Sequence, residues 1–226
     1  MNRLVMKYIL RPVLLVMFVV AGSACAGGDE QQQAKARPLP ENAQDLRAGE
    51  YHTEVFEPPL LFSVSKGWTL ECPEAPDYVC LIPPGGQTEF KFLNVQKIYK
   101  PSKELTFETA PAPDDLVGWL EQHPYLQTDK PEPVTVGGSK GEQVDVVLGD
   151  LPEAYAGLCG TGCVYLFELS DGDYWAVEEG HKYRLTVLEN LKGETVAIDF
   201  GSPAEKFDDF WPKAQQALDT VEWEGM

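Results

Sequence analysis

Positive charge is scarce in this chain. Over 226 residues, 18 Lys and Arg stand against 36 Asp and Glu, a formal net charge of −18. Such a surface repels phosphate backbones, which excludes nucleic acid as a partner. Histidine is rarer still, and His52, His123 and His181 show no H-E-x-x-H or comparable ligand spacing. They read as surface histidines, with His123 at a helix end where the dipole favours a cation. The acid pairs Asp114–Asp115, Glu178–Glu179 and Asp208–Asp209 follow no calcium-loop pattern. No metal and no cofactor is therefore expected. No internal repeat is present. After Arg11 no apolar run reaches the ~20 residues that a membrane-spanning helix needs.

What is there begins with a leader. Arg3, Lys7 and Arg11 precede an apolar run from Pro12 to Val20, and Ala21, Gly22, Ser23 and Ala24 follow. This is the layout of a secretory signal peptide over residues 1–24. An A-x-A cleavage after Ala26 would discard Cys25. The favoured reading rests on "AGSAC", which resembles the lipobox of bacterial lipoproteins, with Gly22 where that family usually has Leu. The resemblance implies that Cys25 is diacylated and becomes the mature N-terminus. Two acyl chains hold a protein stably on a bilayer. The implied location is the cell membrane, lipid-anchored and facing the extracytoplasmic side, with the membrane as a partner through that lipid. Loss of the leader removes three cations and no acid, taking −18 to −21. Residues 25–50 are polar, hold Gln, Pro and Gly and show no apolar periodicity, so they read as a flexible tether. Residues 51–226 read as a single domain.

Four cysteines remain: Cys72, Cys80, Cys159 and Cys163. An even count in an exported chain argues for disulfides, and four cysteines allow three connectivities. The local pairs Cys72–Cys80 and Cys159–Cys163 are favoured, since both enclose turn-rich sequence. Zinc from all four is disfavoured by the wide Cys72–Cys80 spacing. "CGTGC" is not a C-x-x-C redox motif.

Alternating apolar residues mark strands in "LLFSVSKGW", "YVCLIPP", "PVTVGGSKGEQVDVVL", "CVYLFELSDGDYWAV", "KYRLTVL" and "ETVAIDF". "EFKFLNVQKIY" mixes faces and is expected to carry a bulge. "PDDLVGWLEQH" reads as a short helix. "SPAEKFDDFWPKAQQALDTV" reads as an amphipathic one, with Ser202 as N-cap, Pro203 first, Glu205 closing a capping box and a break at Pro212. The fold class is α+β: an antiparallel β-sheet packed with one short helix and a C-terminal amphipathic helix. "FSVSKGW" leading into "YVCLIPP", "VTVGGSKGEQVDV" and "FDDFWPKAQQALDTVEW" resemble the PsbP-like group. That resemblance implies a layered sandwich and a non-catalytic binding or accessory role. It supplies no catalytic residue.

"GGSKG" matches G-x-S-x-G, but a nucleophile elbow needs a strand, a strained turn and then a helix. The residues after Ser139 read as a strand, so no catalytic residue is assigned and no enzyme is expected. A hydrolase of unrecognised type is the alternative. Trp119 and Trp211 fall on helix stripes and read as core. Trp175 stands among Asp171, Asp173, Glu178, His181 and Arg184 on one hairpin region. An aromatic among charges can form a binding face for a protein or small-molecule partner, although a packed tryptophan on a charged hairpin is the commoner arrangement.

Overall fold

Short turns between apolar runs leave neighbouring segments little choice but antiparallel pairing. The computed structural model, which describes residues 35–86 and 88–225, is built that way. The leader and Cys25 lie outside the described residues. In chain order the elements are β1 (Arg37–Pro38), β2 (Gln44–Asp45), β3 (Gly49–His52), β4 (Leu60–Val64), β5 (Thr69–Leu70), β6 (Tyr78–Ile82), β7 (Glu89–Asn94), β8 (Lys97–Tyr99) and β9 (Thr109–Pro111). Then follow α1 (Leu116–Gln122), β10 (Leu126–Thr128), β11 (Glu132–Val136), β12 (Ser139–Leu148), β13 (Cys163–Glu168), β14 (Tyr174–Glu178), β15 (His181–Leu191), β16 (Glu194–Pro203), α2 (Phe207–Leu218) and β17 (Glu222–Trp223).

A nine-stranded sheet runs β10-β12-β15-β16-β7-β6-β5-β2, with β11 paired to β12. Two four-stranded sheets accompany it, β1-β3-β4-β17 and β14-β13-β8-β9. Every pairing is antiparallel except β1 with β3. The expected mixture of faces in "EFKFLNVQKIY" resolves into two strands, β7 and β8, in different sheets.

Period-two alternation gives the central sheet two buried faces. On one, Phe90, Phe92, Ile198 and Phe200 pack with Phe62, Trp68, Phe207 and Leu218. On the other, Leu93, Val144, Leu185 and Ala197 pack with α1 residues Leu116 and Leu120 and with Phe167 and Trp175 of the β13–β14 hairpin.

Helix α1 starts where its acids require it to: the Asp115 carboxylate caps it, accepting from Gly118 N at 2.6 Å. It stops at His123, before Pro124. Helix α2 departs from expectation at its start. Ser202 and Pro203 belong to β16, and Ser202 is fully buried there rather than capping a helix. A 3-10 turn, Ala204–Lys206, intervenes, and Lys206 at the N-cap position makes no side-chain cap bond. Nor does Pro212 break the helix, which continues through it to Leu218. The proline removes the bond to the Asp208 carbonyl. Asp208 is exposed, where water can take that bond. The apolar stripe holds: Phe207, Ala214, Leu218 and Val221 are buried, with Phe210 and Trp211 packed beside them.

The tether expected over residues 25–50 does not hold for much of its described part: β1, β2 and β3 pair into sheets, and Leu39 and Leu46 are buried. Strand pairing supplies hydrogen bonds that a local composition rule does not count.

Candidate functional site

Strand register assembles a polar row on the second face of the central sheet. Cys80, Lys91 and Asp199 stand side by side on β6, β7 and β16. In the next row Gly201 is flanked by Glu89 and Tyr183. Gly201 is what lets them approach: a Cβ there would stand 2.5 Å from the Tyr183 ring and 2.9 Å from a Glu89 oxygen.

Asp199 is 0% exposed. Trp175 Nε1 donates to its Oδ2 at 2.9 Å. Oδ1 meets no donor among the described residues. The Glu89 carboxyl acts on it from the neighbouring strand β7. Burial, then the Glu89 charge, pushes Asp199 well above the usual carboxylate range, against Lys91 and Trp175. Asp199 is thus held toward its neutral form, and Glu89 is ion-paired with the Lys91 ammonium. Burial, the largest single influence, works to discharge Lys91, but Glu89, Asp199 and Cys80 together outweigh it and hold the lysine protonated beyond its ordinary range.

Cys72 and Cys80 flank this row. The expected Cys72–Cys80 bridge is not formed: both are free thiols. They are nonetheless neighbours on the wall of one cavity, and Cys80 draws the Cys72 pKa down while Cys72 pushes the Cys80 pKa up. The other expected bridge, Cys159–Cys163, is present.

Two cavities open onto the cluster, and Glu71 lines both. One, about 290 Å³, is bordered by Cys72, Tyr78, Cys80, Lys91, Asp173 and Trp175. The other, about 270 Å³, is bordered by Thr88, Glu89, Glu178, His181 and Tyr183. Among the described residues neither Glu71 nor Glu178 has an ion-pair partner. A third and larger cavity, about 480 Å³, is walled by connecting segments from Val147 to Gly162 and by the Glu179–His181 turn. It lacks the buried acid, the lysine and the thiols, and His181 borders both it and the 270 Å³ cavity.

The hairpin residues singled out in the sequence divide around these cavities. Asp173 is exposed, and its carboxylate accepts from the Tyr78 hydroxyl at 3.4 Å. Trp175 is 1% exposed, so it is a packed tryptophan and not an open aromatic face. Glu178 and His181 border the second cavity. Arg184 points away through the sheet. It grips Asp145 with two nitrogens, at 2.6 and 2.8 Å, and lies over the Trp211 ring at 4.4 Å. Asp171 belongs to the 3-10 turn Ser170–Gly172. Lys91, Glu89, Asp199 and Tyr183 were not singled out, although the isolated acid in "VAIDF" was a visible signal.

Two further expectations, on Ser139 and His123, meet their outcome here. Ser139 opens β12 after a turn in which Gly137 and Gly138 have φ of 56° and 83°. Positive φ at both central residues makes a hairpin turn, so no nucleophile elbow exists. Among the described residues no group of three or more His, Cys, Asp or Glu could hold a metal ion. His123 is not a surface histidine. It is 4% exposed, burial lowers its pKa to about 4, and its Nδ1 accepts from Tyr125 N at 3.4 Å.

No protein-family model matches the chain, and no curated protein matches it. Among solved structures it is similar to a protein from Bacteroides thetaiotaomicron VPI-5482, at 10% identity and a TM-score of 0.35, over 74% of this chain and 46% of that one. The chain thus spans less than half the length of that protein. It is also similar to the cyanobacterial PsbP (CyanoP) of Synechocystis sp. PCC 6803, at 10% identity and a TM-score of 0.36, over 82% of this chain and 94% of that one. A third is LpqN of Mycobacterium tuberculosis, involved in cell envelope biogenesis, at 12% identity and a TM-score of 0.34, over 80% of this chain and 90% of that one.

Proposed function

We propose that this protein is a non-catalytic binding or accessory module of the cell envelope. A lipid on Cys25 holds it on the extracytoplasmic side, and its PsbP-like domain binds through the paired cavities at Glu71. One observation carries the reading: two small cavities meet over a polar cluster whose charges are already satisfied within the protein. Lys91 is paired with Glu89, and Asp199, the fully buried carboxyl of the set, lines neither cavity. A general acid or base has to come within hydrogen-bond reach of its substrate, and Asp199 is sealed from that reach. Glu71, Glu178 and Asp173 at the cavity walls disfavour an anionic ligand.

An enzyme is the second reading. It is favoured by a buried carboxyl, Asp199, raised above its ordinary range beside a second one, an arrangement that acid–base pairs use. Its hydrolase form has lost Ser139 to a hairpin turn.

Photocrosslinking in cells separates the two. A crosslinking residue in place of Glu178 in the full chain should give one dominant adduct, and one in place of exposed Asp208 should not. In the Cys25→Ala background the protein should leave the membrane fraction. No adduct at position 178, together with turnover of an ester, peptide or phosphate substrate by the purified chain, would overturn the binding reading. Membrane retention of Cys25→Ala would overturn the anchor.

A further inference from the structure

The two cysteine pairs have different fates in one fold. Cys159 and Cys163 are bonded across a five-residue ring. Cys72 and Cys80 are free thiols brought to one place by a sheet, since Glu71 N donates to Cys80 O at 2.9 Å just where β5 leaves β6. Their surroundings are unequal. Cys80 sits mid-strand between the fully buried Val79 and Leu81, opposite Lys91 in the register. Cys72 lies on the departing loop between the exposed Glu71 and Pro73. Both line the 290 Å³ cavity.

We propose that Cys72 and Cys80 form a thiol–disulfide exchange site whose substrate is a small disulfide entering that cavity. Cys72 is the attacking sulfur and Cys80 the resolving one. The Cys72 thiolate attacks one sulfur of R–S–S–R, forming Cys72–S–S–R and releasing RS⁻, which takes up a proton. Cys80 then gives up its proton and attacks the Cys72 sulfur. The Cys72–Cys80 bond forms and a second RS⁻ leaves. The dithiol loses two electrons, and the disulfide donor accepts them as it becomes two thiols. Cys80 lowers the Cys72 pKa, as an attacking sulfur needs, and the nearby Lys91 charge acts in the same direction. The eight-residue spacing hides this pair from any C-x-x-C pattern. The inference stands independently of the binding reading.

The test uses bis(2-hydroxyethyl) disulfide, a small neutral donor, on the mildly reduced full chain. The unmodified chain should close to the Cys72–Cys80 disulfide without accumulating adduct. Cys80→Ser should stop at one hydroxyethylthio group, mapped to Cys72 by peptide mass spectrometry. Cys72→Ser should react at least about tenfold more slowly, because it has lost the thiolate-forming sulfur. In the unmodified chain, limiting iodoacetamide should label Cys72 first, a measurement that needs no variant to fold. An adduct on Cys80, equal rates for the two variants, or no reaction would each overturn the proposal. So would a Cys72–Cys80 disulfide that excess 2-mercaptoethanol cannot reopen in the folded chain, since that bond would be a permanent staple.

Discussion

The two faces of the central sheet share strands but not chemistry. Toward α2, β7 and β16 present Phe90, Phe92, Ile198 and Phe200, and the rings interlock: Phe90 meets Phe92 edge-on at 5.2 Å, and Phe200 meets Phe207 at 5.2 Å. Toward α1 and the β13–β14 hairpin, the same two strands present Glu89, Lys91, Leu93, Ala197 and Asp199. The first face needs only volume and shape. The second also holds a buried acid, an ion pair, a neutral histidine and two thiols, each tolerated because a specific neighbour satisfies it or because burial changes its protonation. The cavities lie on the second face, where close packing gives way to polar groups.

The largest expected effect breaks the first face. Phe200→Ala removes a ring packed on Phe207 and Trp211, which should cost about 3–5 kcal/mol in denaturant unfolding. A loss below about 1 kcal/mol would mean that this face is not the main source of stability.

The next effect sharpens the contrast through pH. His123 titrates near 6.5 when unfolded and at about 4 when folded. Between those values the unfolded chain binds the extra proton, so stability is complete above pH 6.5 and lost as pH falls toward 4. The amount is at most about 3 kcal/mol. His123→Phe should abolish that decline in thermal melts taken from pH 7 to pH 4. A decline of unchanged size would assign the acid sensitivity to other groups.

The smallest effect belongs to Asp199. Its folded pKa is raised, so its contribution is complete at low pH and is drawn down as pH climbs from the ordinary carboxylate range toward the raised value. Asp199→Asn copies the protonated form, and its oxygen can accept from Trp175 Nε1. The variant should melt no lower than the parent at pH 8 and show a flatter decline from pH 4 to pH 8. Destabilisation by more than about 2 kcal/mol at pH 8, the cost of breaking a buried polar network, would show that Asp199 is ionised in the fold.

The candidate site was only partly legible. Asp173, Trp175, Glu178 and His181 were singled out for lying on one hairpin, and they do border the two cavities. The ring of charges imagined around Trp175 was an artefact of reading along the chain. Arg184 is on the opposite side of β15, and the indole is inside. Asp199 alternates with Ile198 and Phe200, which in a sheet solvated on one face would put it in water.

By itself the sequence determined what short-range chemistry decides. Gly137–Gly138 turns a hairpin because glycine supplies the positive φ at both positions, and Gly193 supplies one of the two in the Lys192–Gly193 turn. Asp115 caps α1, Cys163 reaches Cys159, and the α2 stripe from Phe207 to Val221 repeats at helical spacing. The tertiary structure alone decided which faces lose water, because burial is a property of what packs on top. That is why Asp199, under the β13–β14 hairpin, is raised above the usual carboxylate range, why burial lowers the His123 pKa, and why pairing of β1 with β3 places residues 37 and 38 in a sheet where a tether was expected.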